Sequence, residues 1–446
     1  MAAVYVVLSS LSPRAHADTV RIVAGTATNS QIWVSDDGGD TWTFKKDFSK
    51  EVATYAIMGQ VYDPYHDRLV AGLHGIDTYW TIWVSPDRGE TWKLKKKSDH
   101  MAGIKNEHDV RALTYDSHNH RVIAGTIGFN LSGALNGEIW TSDDGGDTWT
   151  MKKDLSTVQV PQGVKSLTYD SFHKRVVAGT ANSAQIWASD DGGDTWTLKK
   201  DISLENPAQQ FLSALLFVPF NKRIIAGTAY NAQIWASDDG GDTWALKKDL
   251  AAVSLADRIY GSVVDPGRNR ILLSTGSDDN AQIWASDDGG DTWTMKKDLH
   301  QDNPKVTGIL CLSHDSQHNR LIAGASDKGQ IWVSDDGGDT WTLKRDLSLG
   351  SPSQAHIFSL SSITIPQATK PDAGTPSPDA GADAAADAGA DAADDAGTPG
   401  QDAEGGCSCT VTAASSGPLL GVFVLLLFCC RLGRAARSGR ALRPRP

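Results

Sequence analysis

Three groups of residues in this sequence are of types that do chemistry: repeated aspartates, a set of arginines, and polar and aromatic residues in irregular loops. The aspartates lie in the octapeptide Ser-Asp-Asp-Gly-Gly-Asp-Thr-Trp, which starts at Ser35, Ser142, Ser189, Ser237, Ser286 and Ser334. An altered copy, Ser-Pro-Asp-Arg-Gly-Glu-Thr-Trp, starts at Ser85. The central carboxylates are Asp37, Asp87, Asp144, Asp191, Asp239, Asp288 and Asp336. In a tight turn such a carboxylate accepts backbone N–H bonds; weak cation binding by the paired aspartates is the alternative. Seven equal copies cannot all be one catalytic centre, so the octapeptide is expected to be scaffold.

The irregular residues are the better candidates for a site. One loop runs His74-Gly75-Ile76-Asp77-Thr78-Tyr79-Trp80, a second from Ser98 to Asp109, and a third from Ile127 to Gly137. They contribute Asp77, Tyr79, Trp80, His100, Glu107, His108, Phe129 and Asn130. An exposed Trp80 beside Asp and Asn would make a platform for a sugar or peptide. Loop drift without a ligand is the competing explanation. The spacing of His100 and His108 matches no metal-ligand motif, and neither a metal nor a cofactor is expected.

The elements that must hold these residues follow from the repeat. Successive octapeptides start 50, 57, 47, 48, 49 and 48 residues apart. That period suffices for one four-stranded sheet with its turns. The fourth repeat reads as strands A to D over 164–170, 175–180, 185–191 and 195–202, each bounded by Gly, Asn, Asp or Ser. The Asp-Gly-Gly element is the C–D turn. Of the 15 tryptophans, seven follow Ile on strand C, seven close the octapeptide, and Trp80 stands outside the pattern. Rings at fixed positions read as packing between neighbouring sheets. The first repeat lacks a strand A, and 356–365 can supply it. The expected fold is therefore all-β: a seven-bladed β-propeller of four-stranded antiparallel blades, closed by a C-terminal strand completing blade 1. Lys pairs on strand D, such as Lys45–Lys46 and Lys199–Lys200, are read as guards of an exposed edge.

The octapeptide resembles the Asp-box, or bacterial neuraminidase repeat, through Ser-x-Asp-x-Gly-x-Thr-Trp, and all seven copies match. The resemblance covers 18–365 and implies a propeller whose C–D hairpins carry the motif, as in sialidases, some glucan hydrolases, the sortilin type and photosystem assembly factors. A sialidase-like site would require three arginines, a Tyr nucleophile with a Glu partner, and an Asp acid/base. The family's Phe/Tyr-Arg-Ile-Pro motif is absent; Val20-Arg21-Ile22-Val23 comes nearest. Arg21, Arg68, Arg121, Arg175, Arg223, Arg270 and Arg320 share one position at the start of strand B. Arg88, Arg268 and Arg345 lie in an octapeptide, an A–B turn and a strand D. Arg111 and Arg258 remain, near the start of strand A, which is short of a triad.

The ends of the chain indicate export. Residues 1–17 resemble a secretory signal peptide, with Ala15-His16-Ala17 as the cleavage site. The propeller is assigned to 18–366. Residues 367–406, rich in Pro, Asp, Ala and Gly, are expected to form a disordered spacer. In 407–446, Cys407-Ser408-Cys409 precedes an apolar stretch and six Arg. This order resembles the myxobacterial C-terminal sorting signal (MYXO-CTERM), which implies cleavage near Cys407, lipid attachment there and surface display; a plain transmembrane anchor is the alternative. A net charge of −12 argues against a nucleic-acid partner. The expected function is a monomeric, surface-displayed, non-enzymatic propeller that binds an extracellular glycan or protein or serves envelope assembly. The alternatives are a sialidase-like or other Asp-box glycoside hydrolase, and a structural surface protein without a small ligand.

Overall fold

The computed structural model describes residues 19–75, 79–98, 108–128, 135–160, 162–207, 209–254, 256–276, 280–303, 306–326, 328–349 and 356–365. The expected signal peptide, spacer and sorting segment, with Cys407 and its apolar stretch, lie outside them. Among the described residues no helix is long and apolar enough to cross a membrane.

The described residues are all-β, forming 28 strands and a few one-turn helices. Pairing joins the described strands into four antiparallel sheets of 4, 8, 12 and 4 strands, within which they run in seven successive sets of four, in the order A-B-C-D, each set called a sheet below. In the fourth sheet these are Gly163–Asp170, Arg175–Ala181, Gln185–Ser189 and Thr197–Asp201. Single bridges carry hydrogen bonding on between some neighbours, as at Ala181 with Phe211 and Ala229 with Arg258. Strand A of the first sheet is Ile357–Ile365, which pairs antiparallel with Thr19–Thr26.

Local chemistry explains each C–D turn. In the fourth sheet Asp191 accepts from the Thr195 amide (2.8 Å), the Thr195 hydroxyl (2.6 Å) and the Ser189 hydroxyl (2.8 Å). Ser189 Oγ in turn accepts from the Gly193 amide at 2.8 Å. Gly192 and Gly193 take φ of +70° and +98°, which glycine adopts without steric cost. Both carboxylate oxygens are thus engaged inside the hairpin, and the same Thr contacts recur at the other six central aspartates. At the end of strand D an aspartate caps a one-turn helix in five sheets, as Asp201 does by accepting from the Ser203 amide at 3.0 Å.

Packing then joins sheet to sheet. There are seven apolar clusters, and each spans one pair of neighbours. The two repeat tryptophans of one sheet insert against the sheet before it. Trp187 and Trp196, for example, sit with Ile123 and Ile139. The seam between the seventh and first sheets has the same content: Trp33 and Trp42 against Ile322, Ile331 and Val333. Of the fourteen repeat tryptophans, twelve are buried; Trp140 and Trp149 are partly so. Each turn indole also donates to a carbonyl within its own hairpin, Trp196 Nε1 to the Gly193 oxygen at 2.9 Å. Strand B is covered on both faces, so its central run is buried without alternation, as in Val176 to Ala181.

Charges line the outside of the same seams. Arg175 bonds Asp190 of its own sheet at 2.5 Å and Asp242 of the next at 2.9 Å, and Lys199 also reaches Asp242, at 2.7 Å. The pattern repeats to Arg320 and Lys344, which both bind Asp40 of the first sheet. The second Lys of strand D lies over the next sheet's tryptophan, as Lys200 does over Trp235 at 5.4 Å. The Lys pairs therefore tie neighbouring sheets together, beyond the edge-guarding expected of them. The second sheet departs from the pattern. Pro86 stands where the others have the first Asp, and Arg68 keeps one ion pair, to Asp147 at 3.5 Å.

These observations rank the contributions. Trp196→Ala should destabilise by about 3–5 kcal/mol and Asp191→Ala by about 1–3 kcal/mol. Lys199→Ala should cost less than about 1 kcal/mol, because its ion pair is exposed. Urea unfolding checks the order. The central aspartates also set an acid limit. Their burial would raise the carboxyl pKa, but the bonds from Thr and Ser outweigh it, and all seven are lowered, Asp288 to about 2. A carboxylate held below its unfolded value of about 3.9 stabilises the fold above that pH. This stability is lost as pH falls through the folded value. The melting temperature should therefore drop steeply between about pH 4 and pH 2, and a flat profile there would contradict the assignment.

Candidate functional site

A cavity of about 270 Å³ is lined by three consecutive residues from the A strand of every sheet. Each A strand carries a β-bulge at the same place in its pairing with strand B: between Val110 and Ala112, between Val164 and Ser166, and at the equivalent points of the others. The extra residue of a bulge is unpaired and its side chain is re-aimed. Here the bulge residues are Arg111 and Lys165 in the third and fourth sheets, Ser213 and Tyr260 in the fifth and sixth, and Leu310, Phe358 and Met58 in the seventh, first and second. All line the cavity. Two residues further along each strand is a second layer. It is leucine in five sheets (Leu113, Leu167, Leu215, Leu312 and Leu360), with Gln60 and Ser262 in the other two.

A polar network supports the cationic side. Asp109 is buried at the start of the third A strand. It lies 2.5 Å from His74 Nδ1 and 3.3 Å from Arg111 Nη1. Arg111 also meets the Met58 sulfur at 3.5 Å. Burial alone would raise the Asp109 pKa, but the charges of His74, Arg111 and Lys165 outweigh it and lower it to about 2. Asp109 is accordingly an anion at neutral pH and a poor proton donor. Further round, Lys165 Nζ sits 5.5 Å from the Phe211 ring centroid, and the Phe211 and Tyr230 rings are 5.2 Å apart. Arg258 lies over Tyr230 at 4.7 Å, bonds the Tyr260 hydroxyl at 3.4 Å and pairs with Asp257 at 3.3 Å. No group of three or more metal-ligating side chains occurs among the described residues.

The structure sorts the residues singled out by sequence. Arg111 lines the cavity, and Arg258 holds one of its lining residues, Tyr260. Trp80 does not form an exposed platform. It is 2% exposed and packs edge-on against Trp140 at 5.6 Å in the seam between the second and third sheets. It occupies the position that Ala184 has in the fourth sheet, and its large apolar surface is more stable in the seam than in water. Tyr79 lies under Lys97 Nζ at 3.5 Å. Asp77, His100, Glu107, Phe129 and Asn130 lie outside the described residues. His108 begins an A strand, its backbone paired with Gly75, and its side chain is likewise outside. Sequence reasoning missed Asp109, Lys165, Tyr260 and Phe358 as site residues. An alignment of the seven A strands would have flagged the last three, because one register position carries seven residue types.

Comparison with known proteins agrees on the fold. The family described as "Sortilin, neurotensin receptor 3" matches residues 137–257. No curated protein matches the chain. Among solved structures, a putative 6-phosphogluconolactonase from Bacteroides fragilis NCTC 9343 superposes with a TM-score of 0.54 at 11% identity, over 79% of this chain and 100% of that one. The periplasmic gluconolactonase of Pseudomonas aeruginosa gives 0.51 at 12% identity, over 78% and 100%. The GH74 enzyme of Niastella koreensis gives 0.49 at 16% identity, over 76% of this chain, which spans 65% of that enzyme's length. The chain thus has a β-propeller fold.

The placement of Trp80 has a measurable consequence. Trp80→Ala should lower stability by about 3–5 kcal/mol in chemical denaturation, the cost of emptying a buried seam. A loss under about 0.5 kcal/mol would return Trp80 to the surface.

Proposed function

We propose that the chain is a closed seven-bladed Asp-box propeller that binds a glycan or protein ligand at its axial cavity, without catalysis, while displayed on the cell surface. The observation that carries this reading is the contrast within the repeat. Turns, tryptophans and seam charges recur around the sheets, whereas the bulge residues that line the cavity all differ. A scaffold kept constant around one variable layer is what a binding site requires. Ring closure is supported by the seam of Trp33 and Trp42 with the seventh sheet and by the Arg320–Asp40 pair. Export, the disordered spacer and processing at Cys407 rest on the sequence of the two ends, and the monomeric state on the closed ring.

The hydrolase alternative needs two carboxyl groups about 5–10 Å apart, one of them able to donate a proton. Among the described lining residues the ionisable ones are Arg111, Lys165, Tyr260 and the thiol Cys311. Asp109, beside them, is committed to His74 and Arg111. The purified full chain should therefore bind on a glycan array, or capture a protein, without releasing sugar from sialosides or glucans. Hydrolysis that disappears in Arg111→Ala would sink the non-enzymatic reading. Silence across the whole array would remove glycans as the ligand class.

A further inference from the structure

The seven bulge residues divide by chemistry around the cavity. Arg111 and Lys165 are adjacent and basic. Leu310, Phe358 and Met58 are consecutive and apolar, on the seventh, first and second sheets. Ser213 and Tyr260 stand between the two groups on one side. The layer beneath is closed largely by leucines, and no carboxylate lines the cavity among the described residues. A wall with cations on one side and apolar groups on the other is complementary to a molecule divided in the same way. A uniformly hydroxylated ligand would leave the apolar wall facing polar atoms, and a neutral or purely apolar one would strip water from Arg111 and Lys165 without supplying a counter-charge. The volume of about 270 Å³ falls just below the roughly 300–1,000 Å³ typical of small-molecule sites, which suits a small ligand.

We propose that the axial cavity binds a small amphipathic monocarboxylate, its carboxylate on Arg111 and Lys165 and its apolar body on Phe358, Leu310 and Met58. This rests on the reading of the cavity as a ligand site and goes beyond it in naming a small acid, instead of a glycan or protein, as the occupant. Arg111 is pre-oriented for the task. Asp109 and the Met58 sulfur hold its guanidinium, and His74 shares the Asp109 carboxylate. A planar guanidinium so fixed loses little freedom on engaging a carboxylate. The Tyr260 hydroxyl, held by Arg258, is placed to donate a further bond.

The test is titration calorimetry on the full-length chain with three probes: 4-phenylbutyrate, its neutral isostere 4-phenylbutanol, and the polar acid glucuronate. The expected result is binding of 4-phenylbutyrate, with the other two at least about tenfold weaker. Loss of one charge-assisted contact or of one buried ring each amounts to at least that factor. Arg111→Gln and Phe358→Ala should each weaken 4-phenylbutyrate about tenfold while circular dichroism and the melting curve keep the native form. Equal binding of 4-phenylbutanol would overturn the anionic half of the proposal, and equal binding of glucuronate the apolar half. Failure of 4-phenylbutyrate to bind, while an array glycan binds in an Arg111-dependent way, would overturn the proposal and leave the cavity as the site. A glycan or protein that binds with no response to either substitution would overturn both.

Discussion

Each seam between neighbouring sheets is filled by a pair of tryptophans, and the rest of the architecture depends on that packing. A four-stranded sheet of this size cannot bury both of its faces alone. The indole from strand C and the indole from the C–D turn of one sheet cover the exposed face of the sheet before it. Burying such a ring is worth several times an exposed ion pair. The Arg and Lys pairs outside the seam therefore align the sheets more than they hold them.

The aspartate turn exists to aim the second indole. Its carboxylate gathers the Thr amide and hydroxyl and the Ser hydroxyl, so the hairpin has one conformation. The two glycines supply the positive φ that the path requires. The altered copy shows how far the motif can drift. Arg88 takes φ +57° in place of the first glycine and bonds Asp67, yet Asp87 keeps its Thr91 and Ser85 contacts and Trp92 stays buried. At the seam between the second and third sheets Trp80 joins the repeat pair Trp140 and Trp149, while Arg68 and Lys95 keep their ion pairs to Asp147.

With a rigid wall of seams behind it, the innermost strand is free to vary. Every A strand is bulged at one place, and the bulge turns one side chain toward the cavity. None of those side chains belongs to the apolar clusters that join the sheets, so basic, hydroxyl, aromatic and aliphatic groups are all tolerated there. Asp109, a buried carboxylate beside them, serves to position Arg111 and His74.

The sequence by itself determined the strands, their order in each repeat, the tryptophan positions and the C-terminal strand that pairs with the first sheet, because these follow from local periodicity and turn chemistry. The roles of the repeat arginines and lysines were only partly legible, since an ion pair between Arg175 and Asp242 joins residues 67 apart in sequence. Two things belonged to the tertiary structure alone. Trp80 looked exposed because it broke the pattern, but the seam had room for it and water did not favour it. The cavity layer was legible only as one A-strand position that varies between repeats; that it faces the cavity is decided by a bulge, which is a property of pairing between two strands and not of either sequence. Only when seven sheets stand face to face do Arg111, Lys165, Tyr260 and Phe358 share one wall.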